Sequence, residues 1–160
     1  MKVRKILVPL DGSRLAETAL GEAIDLARNG ATLVLLRAAE AARVPMADPT
    51  EAQVTVVREA ETYLEGVAER TRAAGVTDVQ TSVWYGAPGE AIIDAARVRK
   101  IDLIVMSSHG RSGFGRLVFG SVAETVLRGA TTPILLIRPG GAPVASLTAT
   151  GARPAEVSRV

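Results

Sequence analysis

Four short apolar runs, set apart by stretches of helical periodicity, constrain this chain more than anything else in it. Residues 5–10 (KILVPL), Ala31 to Leu36, Ile101 to Met106 and Thr132 to Ile137 are apolar almost throughout. None approaches the roughly 18 residues that a membrane-spanning helix needs. Their length suits strands buried on both faces, as in a parallel sheet. Residues 78–85 alternate and are rich in β-formers, which predicts a further strand, stopping at Gly86. Between these runs the spacing changes to that of amphipathic helices.

Leu15, Ala16, Ala19, Leu20, Ala23, Ile24 and Ala27 recur at helical intervals, with Ser13 as N-cap and Asn29-Gly30 as the stop. Glu17 stands one position too far along for a regular capping box. Residues 39–50 hold two prolines and read as a loop. Thr50 then caps a long helix with Val54, Val57, Ala60, Leu64, Val67 and Ala68 on one face, ended by Gly75. Pro88 opens a third helix with Ala91, Ile92, Ala95 and Ala96 inward, and Ser121 caps a fourth carrying Val122, Val126 and Leu127. Strand and helix alternate four times. Right-handed crossovers then give one doubly wound, Rossmann-like α/β domain, a five-stranded parallel sheet with helices on both faces. After Pro139 the chain turns to Gly, Ala, Pro, Ser and Thr without periodicity, so the domain is expected over 1–139 and a flexible tail over 140–160.

Composition narrows the function. With 160 residues, 48% hydrophobic and 22% charged, the chain can bury a core and is not disordered as a whole. Aromatic residues make up 3%, so that core must be Val, Leu, Ile and Ala. Lack of cysteine excludes disulfides, thiolate metal sites and cysteine nucleophiles, and fits a reducing cytoplasm. The opening MKVRKILVPLDGS has too short an apolar run for a signal peptide, and Asp11 interrupts it. The formal charge of +2 is mixed along the chain, with no basic stripe interleaved with aromatics; neither nucleic acid nor membrane is an expected partner.

In doubly wound sheets ligands bind beyond the carboxyl ends of the strands, where the strand order reverses. Two strand ends here carry unusual residues: Asp11-Gly12-Ser13 after the first, and the glycine-rich stretch Ser107 to Ser121 after the fourth. Glycine lets backbone amides crowd an anion, and Gly120-Ser121 stand directly before a helix whose positive end would face it. His109, Arg111 and Arg116 add polar or positive groups. The stretch lacks the Gly-Lys-Ser/Thr of a Walker A loop, and the first turn lacks the dinucleotide Gly-x-Gly-x-x-Gly. Asp11 either accepts from a ribose hydroxyl or an adenine amine, or simply caps the first helix. One histidine supports no catalytic triad and no metal cluster. Trp84 and Tyr85 read as packing, and Arg37 as a solvated rim residue.

These segments resemble the universal stress protein family. The similarity lies in KILVPLDGS, in Gly86-Ala87-Pro88, and in IDLIVMSSHGRSGFGRLVFGSVAETVLRGATTPILLIRP, and covers about residues 3–139. It implies a fold of the adenine nucleotide alpha hydrolase-like type. It also implies a cytoplasmic stress-response regulator that binds ATP, with or without magnesium, and at most hydrolyses it slowly. The alternatives are a dimer that binds no nucleotide and acts through protein contacts, and a weak ATPase for which no general base or metal ligands can be assigned. ATP-binding members carry Gly-x-x-Gly, nine residues, then Gly-Ser/Thr. Here Gly110, the stretch from Arg111 to Phe119, and Gly120-Ser121 match, while Ser107 replaces the first glycine. By the same resemblance Asp11 falls on the adenosine side, with Pro9 and Leu10 before it. Ala38 falls beside the base, Met106 and Val122 flank the nucleotide, and Ser107, His109, Gly110, Arg111, Gly120 and Ser121 form the loop around it. If the Ser107 position needs a positive φ, serine costs roughly 1–2 kcal/mol there; a negative φ removes that cost. The resemblance further implies a homodimer paired through Thr132 to Ile137, an apolar strand that would otherwise be an exposed edge.

Overall fold

The structure, a computed structural model, describes residues 2–40, 48–109 and 119–138, and the backbone of 143–147. Its elements run β1 (Lys5–Pro9), α1 (Arg14–Ala27), β2 (Thr32–Ala39), α2 (Pro49–Ala73), β3 (Val79–Tyr85), α3 (Pro88–Val98), β4 (Leu103–Ser107), α4 (Ser121–Gly129), β5 (Ile134–Ile137) and β6 (Pro143–Leu147). The sheet order is β3-β2-β1-β4-β5-β6. The first five strands pair in parallel, as the alternating pattern predicts, and β6 adds an antiparallel strand outside β5.

The side-chain alternation of the strands divides the core in two. Ile6, Val8, Leu33, Leu35 and Val105 point to one face and pack under α1 and α2, against Ala19, Leu20, Leu64 and Val67. Leu7, Val34, Leu36, Ile104 and Met106 point to the other and meet α3 and α4 through Ile92, Ala95, Ala123 and Val126. Burial on both faces is what makes these strands apolar at every position. The two helices of the second layer approach closely: a Cβ on Gly89 would lie 2.6 Å from Thr125 Cγ2.

Several local expectations are refined. Ser13 is the N-cap of α1, its hydroxyl accepting the Ala16 amide at 3.1 Å. Helix α2 begins before Thr50: Asp48 is the N-cap, accepting from the Thr50 amide at 2.8 Å, and Pro49 takes the first helical position, where it lacks an amide that would be orphaned anyway. Gly120, rather than Ser121, is the N-cap of α4. Strand β5 starts at Ile134, with Pro133 just before it as acceptor for the Ile104 amide at 2.9 Å. The stretch expected to be tail from 140 onward contributes β6, which pairs along Ile134 to Ile137. Strand β5 is therefore not an uncovered edge. No described helix is long and apolar enough to cross a membrane.

Candidate functional site

Leaving β1, the chain in one direction builds β2 and β3 and in the other β4 and β5, so the crevice opens between the carboxyl ends of β1 and β4. A cavity of about 490 Å³ lies there. That is within the roughly 300–1,000 Å³ of small-molecule sites. Strand β1 and the turn after it supply Pro9, Leu10 and Asp11; β2 supplies Arg37 and Ala38; β4 and the start of its loop supply Met106, Ser107, Ser108 and His109; α4 supplies Gly120 as its cap, then Ser121 and Val122. Ten of the residues read from sequence thus line one cavity. Gly110 and Arg111, with Arg116, lie outside the described residues.

Each is placed by local chemistry. The turn at Asp11 needs Gly12, whose φ is 84°, and Asp11 Oδ1 accepts the Ser13 amide at 2.8 Å. The Asp11 side chain therefore has a turn-building role in addition to its place on the cavity wall. At the other lip, Ser108 is buried and its amide donates to the Ile137 carbonyl at 2.8 Å. Its hydroxyl lies 3.0 Å from His109 Nδ1, and Ser107 Oγ accepts the His109 amide at 3.4 Å. The first intrahelical bond of α4 is made by the Glu124 amide to the Gly120 carbonyl. The amides of Ser121, Val122 and Ala123 therefore precede the ladder and form the positive end of the helix at the cavity.

Ser107 ends β4 in the extended strand conformation, and among the described residues the only non-glycine with positive φ is Lys100. The serine that stands in place of glycine is thus unstrained.

Sequence reasoning missed three kinds of lining residue. Ser108 looked like part of a polar run, though it is 2% exposed. Val56 and Glu59 of α2, and Ile92 of α3, reach the cavity only through packing between distant elements. Arg37, read as a rim residue, forms part of the wall; its guanidinium lies over the Tyr63 ring, 4.9 Å from the centroid. Tyr63 donates its hydroxyl to Glu17 Oε1 at 2.8 Å, and Arg70 holds Glu17 from outside at 3.2 Å. Burial first, then the bond to Glu17, pushes the Tyr63 phenol well above its ordinary range, so it stays a donor. Tyr85, expected to pack, is 51% exposed, while Trp84 packs against the α3–α4 core.

Chemically, the cavity wall offers backbone donors at the start of α4, hydroxyls at Ser107 and Ser108, and carboxylates at Asp11, Glu40 and Glu59. Among the described residues the Ser108–His109 pair has no carboxylate orienting the second ring nitrogen, and no cluster of three or more His, Cys, Asp or Glu could hold a metal ion.

Comparison with known proteins agrees over the same span. The universal stress protein family model matches residues 2–138. Universal stress protein relatives in Staphylococcus haemolyticus and Staphylococcus aureus are each 33% identical over 140 residues, covering 84% of both chains. The solved universal stress protein UspA from Lactobacillus plantarum superposes with a TM-score of 0.76 at 28% identity, covering 86% of this chain and 99% of that one. A universal stress protein solved in complex with cAMP gives a TM-score of 0.65 at 26% identity, covering 87% and 99%. With the doubly wound fold, the strand order and the matched span in agreement, this chain belongs to the universal stress protein family.

Proposed function

We propose that the protein binds an adenine nucleotide, ATP foremost, in the cavity at the carboxyl edge of the sheet, and acts as a cytoplasmic stress-response regulator. In this reading the bound state alters its dimer or partner behaviour. One observation carries the proposal: the amino end of α4 and the Asp11 turn open into the same cavity. The phosphates sit against Gly120 and the amides that open α4, with Ser107 and His109 as further donors. Gly110 and Arg111 join them by family resemblance. Asp11 accepts from the adenosine, Ala38 lies beside the base, and Pro9, Leu10, Met106 and Val122 form the walls. The relative solved with cAMP supports an adenine nucleotide as ligand class, and the unstrained Ser107 removes the main objection from sequence.

Mass analysis of small molecules released on denaturing freshly purified protein, followed by calorimetric titration with ATP in the presence and absence of magnesium, tests this directly. Adenine nucleotide in the released fraction and a saturable heat are expected. No released nucleotide, no heat and no thermal shift with millimolar ATP and magnesium would leave the protein a regulator that binds no nucleotide.

A further inference from the structure

We propose that the guanidinium of Arg37, backed by the ring of Tyr63, is the surface on which the base of the bound nucleotide stacks. The inference rests on the nucleotide reading above and assigns it a residue that no sequence motif marks. Alternation along β2 sends Arg37 to the same face as Leu33 and Leu35, under α1 and α2, where it meets Tyr63. The ring is fixed at its far end, because its hydroxyl is bonded to Glu17 and Glu17 is gripped by Arg70. Side chains from α1, α2 and β2 thus converge to hold one guanidinium in the cavity wall. Arg37 takes part in none of the ion pairs among the described residues.

Two things a cation could do in a nucleotide site are to bind phosphate and to stack. Charge argues against the first. Among the described residues Glu40 and Glu59 line the cavity together with Arg37, an acidic setting that suits phosphate poorly. The helix end suited to phosphate lies over β4, two strands from β2, or about 10 Å. What fits beside Arg37 is a flat, neutral group. Guanidinium planes stack on aromatic faces, and bases stack on arginine. Lysine, a compact charge without a plane, would not replace it.

Calorimetric titration of the full chain with ATP and with AMP, on wild type, Arg37→Ala, Arg37→Lys and Tyr63→Leu, tests the assignment, with circular dichroism confirming each fold. Arg37→Ala is expected to weaken ATP and AMP by the same factor, about tenfold. Arg37→Lys should stay close to Arg37→Ala, and Tyr63→Leu should weaken both ligands by a smaller factor. Unchanged affinity in Arg37→Ala overturns the stacking role while leaving the nucleotide site in place. So does full recovery in Arg37→Lys, which would mean that charge alone matters, or a loss confined to ATP, which would put Arg37 on the phosphates. If wild type binds neither ATP nor AMP, the nucleotide reading itself fails and this role fails with it.

Discussion

The Gly120 amide donates to the Ser108 carbonyl across 2.9 Å, drawing the start of α4 to the end of β4. Because Ser108 is itself tied to β5 through Ile137, the start of α4 is anchored to two strands. The positive end of that helix is consequently tied to the sheet beside the cavity.

Gly120 has φ −58° and ψ 154°, a backbone conformation open to any residue. Gly120→Val should therefore fold normally, yet its side chain would stand where the proposed nucleotide's phosphates would meet the backbone. ATP affinity is expected to fall about tenfold or more, and adenosine affinity by less. Titration of both ligands checks this; equal losses would move the phosphates away from α4.

Asp11 serves both the turn and the proposed ligand, and two substitutions separate these roles. Asp11→Ala removes the acceptor for the Ser13 amide and should cost about 0.5–2 kcal/mol of stability, as lost caps do. Asp11→Asn keeps an oxygen acceptor and should hold the melting temperature near wild type. Asp11→Ala should weaken adenosine and ATP by similar factors. Thermal melts beside the titrations give both readouts.

The contact between α3 and α4 has no room for a methyl group at Gly89. A Cβ there would lie 2.6 Å from Thr125 Cγ2 and 2.7 Å from Thr125 Cβ, so the helix itself must shift and rotation of the threonine gives no relief. Gly89→Ala is expected to destabilise by about 1–3 kcal/mol. Gly66, in the exposed middle of α2, has nothing within 4 Å of a new Cβ. Gly66→Ala should stabilise by about 0.5–1 kcal/mol. Urea unfolding of the two variants, one moving each way, checks the helix packing.

Tyr63 predicts an alkaline effect. Burial and Glu17 raise its folded-state pKa above the unfolded value of about 10. Between those values the folded state holds more protons than the unfolded one, so stability falls as pH rises through that window and is unaffected by this group below it. Tyr63→Phe should flatten the decline above about pH 10. Unfolding midpoints measured across that range in both proteins test it; an unchanged slope would mean that Tyr63 titrates as it does in the unfolded chain.

The sheet and its order of elements were legible because burial on both faces leaves a continuous apolar run, as at Ile101 to Met106. The start of α4 at Gly120 and Ser121 was legible because a glycine just before helical periodicity marks a helix start, while Gly110 and Arg111 lie outside the described residues. What escaped notice depends on distance along the chain. Arg37 becomes part of a wall only when Tyr63, from the next helix, folds across it. Glu59 and Val56 reach the cavity through helix packing that no local spacing encodes. The start of α2 was misplaced because Asp48-Pro49 competes with Thr50 for the same role. Strand β6 escaped because PVASL is short, opens on proline and has a weak alternation.

That strand changes what removal of the tail should do. From sequence, truncation after Pro139 should leave the melting temperature almost unchanged, since residues 140–160 could not offset their own ordering entropy. In the structure, β6 pairs antiparallel with β5 from Ile134↔Leu147 to Ile137↔Pro143. Removing it would leave the outer hydrogen-bonding groups of Ile134 to Ile137 open, and an uncovered apolar edge is a template for another strand. The proposed homodimer uses this same edge, so a second copy and β6 are alternatives for it. Truncation after Pro139 is therefore expected to raise self-association, read as a shift toward dimer in sedimentation velocity at equal protein concentration. Leu135→Lys in the truncated chain should reverse the shift if Leu135 faces the partner. A truncated chain with unchanged association would show that β6 and a second copy do not compete for β5, and that the dimer, if formed, uses another surface.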